Sequence, residues 1–508
     1  MTTSTLTIQI TTAAIGTKLQ FTSLAFRPAG IFVTWSGRSA IQATPAAHSI
    51  SGGEGFFLAN GKQGCISYYE QDNADPYTVG SGLWDTAGIV RQSGGATTGG
   101  KATLSTMLDN GFELEILEQF GAEIIVLCTC VSGVEFNSAE VTEPGATGVQ
   151  TISGVGFRPT FAKVFGSGKT ALNTPSADGD FCLGAASGSD ADQNGVYALF
   201  RDSAQGFSDA ASYCRRTECV AFLSTTQVVA RASCNSFTDD GMELNWLERD
   251  STRKMLVVFA TGRWLVFPGE TFNDLATNHD FTGMTWVPEG LMLYGFGFGD
   301  DVGASAESTQ DVVSALSDVL DVIIGYGTGP TERFWNHLYG GGGSSTNDCG
   351  SSIGNTQIYL QQGASPGAHT DVTALMDLVG LTADTITVVM DDADAGAPSF
   401  WYGIAIGPPI IAFRQRLVRY QHNTYQSREA GRTLIRDVLG RTVPNHDVKP
   451  DNFMFSGGAG FITPTKFSSL IVNPATFYIE SVQPTEDRVK IETNRESLIQ
   501  SLFRRLGS

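Results

Sequence analysis

Apolar and polar positions alternate along short stretches of this chain, the period of a β-strand with one wet face. In Asp109-Asn-Gly-Phe112-Glu-Leu114-Glu-Ile116 a tight turn leads into the alternation, and Asp239-Asp-Gly-Met242-Glu-Leu244-Asn-Trp246 repeats it. Each is followed by a wholly apolar run, Ile124–Cys128 and Met255–Phe259. Such runs predict strands buried on both faces. With 59 glycines and turn signals at short intervals, the pattern predicts a mainly β fold built of antiparallel, jelly-roll-like sandwiches.

Three stretches read as helix. Ser308–Gly325 opens with a capping box and carries apolar residues at 312, 313, 316, 319, 320 and 323. Its last part, Asp321–Gly325, also aligns with Asp180–Gly184, so the expectation is a helix or turn ending near 318 and then a strand. Ser427–Leu439 predicts a short helix. Asn494–Gly507 predicts an amphipathic one, with Leu498, Ile499, Leu502, Phe503 and Leu506 on one face and Arg504 and Arg505 in its last turn.

The pattern recurs on a longer scale. Phe21-Thr-Ser-Leu-Ala-Phe26-Arg-Pro28, Ile152-Ser-Gly-Val-Gly-Phe157-Arg-Pro159 and Phe281-Thr-Gly-Met-Thr-Trp286-Val-Pro288 share an aromatic residue two before a proline. The prolines lie 131 and then 129 residues apart, the length of a domain rather than of a solenoid repeat. The predicted organisation is three tandem modules, 1–137, 150–262 and a divergent 280–407, followed by an extended arm, 408–508.

Charge separates the arm from the rest. The chain carries −20 overall, yet residues 411–508 hold 14 Lys plus Arg against 9 Asp plus Glu, which leaves 18 against 43 for the first 410 residues. An acidic body disfavours nucleic acid, while a basic arm suits an acidic protein surface. The arm is punctuated by Pro444, Pro450, Pro464, Pro474 and Pro484 and can bury little surface within itself, so its ordering calls for a partner. The docking residues expected there are Arg414, Arg416, Arg419, Arg504 and Arg505 for charge and Leu498, Leu502 and Phe503 for apolar contact. No apolar run is long enough to span a bilayer, and the first residues do not read as a signal peptide.

Chemical motifs are few. Gly166-Ser-Gly-Lys169-Thr170 resembles the end of a phosphate loop, but Lys163 stands where its first glycine is needed, and Trp35-Ser-Gly-Arg38 occupies the same place in the first repeat. A turn closing a repeated strand is the better reading. Asp190-Ala-Asp192-Gln-Asn194 starts like a calcium loop but has Arg201 in place of the closing glutamate. It reads, like Asp391-Asp392-Ala-Asp394, as a solvated acidic loop. Glu113 and Glu115 belong to the wet face of a strand, and the six histidines share no metal-ligand spacing. The expectation is therefore no cofactor, no metal and no catalytic residue. The eight cysteines lack zinc-ribbon spacing and read as buried apolar side chains, with Cys214 and Cys219 the pair to watch for a disulfide. Among the aromatic residues Trp335, with His337 and Tyr339 beside the glycine-rich 340–345 stretch, is the candidate surface-binding edge.

The module pattern resembles domains that recur in virion proteins of tailed bacteriophages. It shares with them the aromatic-x-Pro entry, the Ser-Gly-Arg or Gly-Lys turn, the Asp-Gly turn into Glu-Leu-x-Trp and the final apolar strand. The match covers most of residues 21–260 and weakens in the third repeat. The resemblance implies a structural part of the particle, a collar, tail, fibre or decoration protein, assembled in the host cytoplasm and carrying no catalytic residues. The resulting expectation is a non-enzymatic assembly component, a homo-oligomer with a trimer as one option, contacting other virion proteins through its arm. A host-surface glycan adhesin is the rival, and a polysaccharide depolymerase the third reading.

Overall fold

The computed structural model describes residues 2–408 except 48, 72–77, 189–191, 202–208, 216, 225–226, 268–277, 299–318, 342–348, 363–371, 383 and 394–398, and beyond them 481–485 and 488–492. Two compact units result, Met1–Ile410 and Ile411–Ser508. The described part of the second unit is one antiparallel hairpin, Ser481–Thr485 with Arg488–Glu492. The helices expected at 427–439 and 494–507, and all eight expected docking residues of the arm, lie outside the described residues, as does the helix or turn expected at 308–318.

The first unit is all β among its described residues, and every strand pairing within its sheets is antiparallel. Its sheets come in three pairs. The first repeat supplies β1 (Thr2–Ile10), β2 (Lys18–Phe21), β3 (Gly30–Trp35), β4 (Gln42–Ala47), β5 (Ile50–Leu58), β6 (Gln63–Glu70), β7 (Val79–Trp84), β8 (Ile89–Gly94), β9 (Thr97–Leu108), β10 (Gly111–Glu118) and β11 (Ile124–Ser132). The second supplies β12 (Phe136–Thr142), β13 (Gly148–Ile152), β14 (Phe161–Gly166), β15 (Ser176–Ala177), β16 (Gly179–Ser187), β17 (Asp192–Arg201), β18 (Asp209–Arg215), β19 (Val220–Leu223), β20 (Val228–Thr238), β21 (Gly241–Glu248) and β22 (Lys254–Ala260). The third uses β23 (Trp264–Val266), β24 (Asn278–Phe281), β25 (Gly290–Phe298), β26 (Val319–Gly327), β27 (Arg333–Gly341), β28 (Gly350–Gly354), β29 (Tyr359–Gln362), β30 (Val372–Thr382), β31 (Thr385–Ala393) and β32 (Ser399–Ile406).

Strand order repeats from pair to pair. The large sheets run β1-β11-β3-β5-β6-β7, β12-β22-β14-β16-β17-β18 and β23-β32-β25-β26-β27-β28, and the small ones β2-β10-β9-β8, β13-β21-β20-β19 and β24-β31-β30-β29. The first strand of the second group therefore begins at Phe136 and that of the third at Trp264, earlier than the starts at 150 and 280 read from the sequence. Strand β26 begins at Val319, as expected for a strand following residue 318, and pairs with β25 and β27 although Val319, Leu320 and Ile323 also fit helical spacing.

The sequence motifs sit at matching places. In each entry the residue after the proline donates its N–H to the strand that ends the repeat: Ala29 to Val131 O at 2.7 Å, Thr160 to Ala260 O at 2.9 Å and Glu289 to Ile406 O at 2.6 Å. Proline itself has no N–H to place, so it sits just before the ladder begins. A second mark is one glycine per repeat, Gly55, Gly184 and Gly325. A Cβ there would stand 2.2, 1.8 and 1.8 Å from the carbonyl oxygens of Gly88, Cys219 and Ile358. Those three residues in turn donate N–H to Ala102, Ala232 and Met376. The small sheet thus presses its backbone onto the large one wherever the glycine leaves room.

Each large sheet is buried on both faces. One face packs on its own small sheet, giving three separate cores around Trp35 and Phe112, around Tyr197 and Trp246, and around Leu293 and Ile386. The opposite faces of all three large sheets meet in a fourth core that contains Phe32, Phe56, Phe165, Leu183, Met292 and Ile324. The sheets are linked pairwise around it. Tyr68 stacks tilted on Phe181 at 5.1 Å, Asn336 donates to Thr34 Oγ1 at 2.7 Å, and Tyr402 donates to Leu183 O at 2.9 Å. Strands also cross between groups: β15 extends the first large sheet beyond β7, and β4 extends the third beyond β28. In that way two sheet edges are sealed by the neighbouring repeat.

Candidate functional site

The inner face of each large sheet can be read by counting from its entry proline. Four residues on stand Phe32, Lys163 and Met292, and six residues on stand Thr34, Phe165 and Tyr294. Across the ladder these face Phe56, Ala185 and Tyr326, and then Glu54, Leu183 and Ile324. Paired residues share a face of a sheet, so all twelve point into the fourth core. Most are apolar. The exceptions that matter are one carboxylate from the first repeat, one ammonium from the second and two phenols from the third.

These four side chains converge on one oxygen. Glu54 Oε1 accepts from Lys163 Nζ at 2.7 Å, from Tyr294 OH at 2.7 Å and from Tyr326 OH at 2.6 Å. Lys163 also contacts Tyr294 OH directly, and its Nζ lies 3.6 Å from the centre of that ring. Neither member of the ion pair has any exposed side-chain surface. Glu54 Oε2 is buried without a hydrogen-bond partner. Burial, only partly offset by Glu54, lowers the Lys163 pKa to about 8, and burial with the nearby carboxylate raises both tyrosines well above their usual value. The cluster is a charge-assisted knot at the meeting point of three sheets. All four side chains are buried.

Lys163 entered the sequence reading only as the residue that spoils a phosphate loop. Its signal was an ammonium inside an otherwise apolar run, Phe161-Ala-Lys163-Val-Phe165. The adjoining Gly166–Lys169 stretch is the turn expected from the repeat: Gly37 and Gly168 share a left-handed backbone, φ 75° and 68°, and Lys169 donates to the Ala177 and Asp178 carbonyls at 2.7 and 2.8 Å.

The other sequence candidates are dispersed. Trp335 is on β27 opposite Gly325 and fully buried, with its indole against Gly354. It faces the interior of its own sheet pair, so it presents no stacking surface; the side chains of His337 and Tyr339 lie outside the described residues. Trp35, Trp84 and Tyr68 are likewise buried. Glu113 accepts from Gln20 at 2.7 Å, Ser105 at 2.8 Å and Lys18 at 3.1 Å, and these bonds lower its pKa to about 2. Its counterpart Glu243 accepts from Asn235 and Ser236. Both are cross-strand ties on a small sheet, and Glu113 is itself buried by its partners, against the wet-face position read from the alternation. Of the cysteines, the seven with described side chains are buried and unbridged, and burial pushes the Cys182 thiol up to about 12; that of Cys214 lies outside the description. Among the described residues no group of His, Cys, Asp and Glu could hold a metal. The chain matches no protein-family model and no curated protein.

Proposed function

We propose that this chain is a structural component of a tailed-phage virion, in which each sheet pair is one β-sandwich module of a tandem array and the basic C-terminal arm docks the array onto the particle. The single observation that carries a structural role is the shared fourth core, which joins three repeated units into one cohesive block through their large sheets. A block of this kind, with sheet edges sealed by neighbouring strands, resists edge-to-edge aggregation at the high local concentration of an assembly. The repeated entry motifs and the contrast between an acidic body and a basic arm add the phage reading and the polarity. Other virion proteins and further copies of the chain are the proposed partners, with no chemistry performed by the chain itself.

The test compares the full chain with a version ending at Pro409, by mass in solution and by co-sedimentation with particles assembled without the protein. The expected result is a folded truncated chain that no longer joins particles which the full chain does join. Incorporation of the truncated chain would overturn the arm as anchor, and failure of the full chain to bind particles would overturn the virion reading. Binding of residues 1–410 to a glycan array would favour the adhesin instead.

A further inference from the structure

The fourth core brings together three faces of nearly one design, and apolar packing alone discriminates poorly between such faces. At the inner positions Leu183 of the second repeat matches Ile324 of the third, and Phe32 of the first matches Met292 of the third in bulk, so a second copy of one repeat retains part of the apolar contact that another would make. Repeats from different chains meet at high concentration while chains are being made, and heterologous contacts that do not close give open assemblies. The Glu54, Lys163, Tyr294 and Tyr326 cluster is satisfied by only one composition. We propose that it is a composition lock, which admits to each shared core one copy of every repeat and rejects cores built from two copies of the same repeat contributed by another chain.

The chemistry of rejection is specific. Two first repeats would bring two Glu54 carboxylates to one dry centre, and two second repeats would bring two Lys163 ammonium groups. A core lacking the third repeat would remove the two phenols that donate to Glu54 Oε1 at 2.7 and 2.6 Å. Each mistake leaves a buried charge opposed or under-satisfied. At the cluster the asymmetry lies in side chains, since the order of the central strands repeats from sheet to sheet and the added strands β4 and β15 lie at sheet edges. Polar residues buried in apolar seams fix partner number in this way in coiled coils. This inference does not depend on the virion reading.

The test uses the full chain with the lock rebuilt from residues of its own repeats: Glu54→Leu, Lys163→Met, Tyr294→Phe and Tyr326→Phe together. Wild type and variant are unfolded, refolded at increasing concentration and analysed by size exclusion with light scattering. The variant is expected to show roughly a tenfold larger fraction of additional multi-chain species, equivalent to about 1.4 kcal/mol of lost discrimination, growing with concentration. The same mass distribution as wild type at every concentration would overturn the proposal. Should the fourfold variant fail to refold, the isosteric Glu54→Gln is read alone. Extra species would support the lock, and a wild-type distribution would overturn it.

Discussion

Glu54 and Lys163 stand 109 positions apart in the chain and meet at 2.7 Å with no exposed surface on either side chain. Each comes from a strand whose other inner residues are apolar, and each finds its counter-charge only on a different repeat. Removing one member leaves the other charged in a dry core. Lys163→Met is therefore expected to lower unfolding stability by about 3–5 kcal/mol, and Glu54→Leu by a similar amount. The double variant should recover most of that loss, because replacing a buried pair by apolar residues of similar volume is often neutral. Urea unfolding of the four proteins of the cycle checks both statements, and additive losses would show that the pair does not act as a unit.

Stability should also depend on pH through Lys163. Its folded pKa of about 8 lies below the unfolded value of 10.5. Below pH 8 both states hold the proton, and the folded state bears the cost of the buried charge. Between pH 8 and 10 the folded state releases its proton first, so stability rises, by about 2–3 kcal/mol over that window. Above pH 10 the groups facing the ammonium oppose the trend: Tyr294 and Tyr326 have raised folded values, so stability linked to their protonated forms is lost as pH climbs. The measurement is the difference in unfolding midpoint between wild type and Lys163→Met at successive pH values. A difference independent of pH between 8 and 10 would sink this account.

The glycine under each small sheet makes a steric prediction. A Cβ on Gly184 would lie 1.8 Å from the Cys219 carbonyl oxygen, against backbone that cannot step aside. Gly184→Ala should cost roughly 3 kcal/mol, the upper part of the usual range for overpacking. Gly145 has open space around its missing Cβ, so Gly145→Ala should stay within about 0.5 kcal/mol of wild type. Thermal unfolding of the two single variants decides between them.

Acid should loosen the small-sheet ties without reaching the core. Hydrogen bonds from Gln20 and Ser105 and the contact with Lys18 hold Glu113 near 2, below its ordinary 4.5. The stability this gives is present above pH 4.5 and is lost as pH falls toward 2. Glu113→Gln should flatten that part of the acid limb while leaving the rise between pH 8 and 10 unchanged. Equal acid sensitivity in the variant and wild type would remove Glu113 from the explanation.

Much of the fold was legible because strands carry a period and turns carry particular residues. The Asp109-Asn-Gly and Asp239-Asp-Gly turns lead into β10 and β21 as their alternation required, and Ile124–Cys128 lies within β11, buried on both faces. The third repeat lacks that turn sequence: its hairpin pairs Thr382 with Thr385, next to Asp384 at φ 62°. The central cluster was not legible. Strands β5 and β14 are buried on both faces, so their alternation does not reveal which residues look inward, and no spacing rule joins Glu54 to Lys163 or to Tyr326. Trp335 shows the opposite failure. Its neighbours His337 and Tyr339 suggested a surface, whereas its pairing with Gly325 turned it inside.

The exchange of β4 and β15 between neighbours has a consequence for how such a chain is made and altered. Strand β4 leaves the ribosome early, yet its ladder partners Gly350, Ser351 and Ile353 emerge some three hundred residues later. The first repeat therefore waits for the last before one of its strands has a place. Deleting the first or second repeat would strip an edge from another, and deleting the third would leave β4 without its ladder, so the smallest part that can be inherited whole is the entire ring of three.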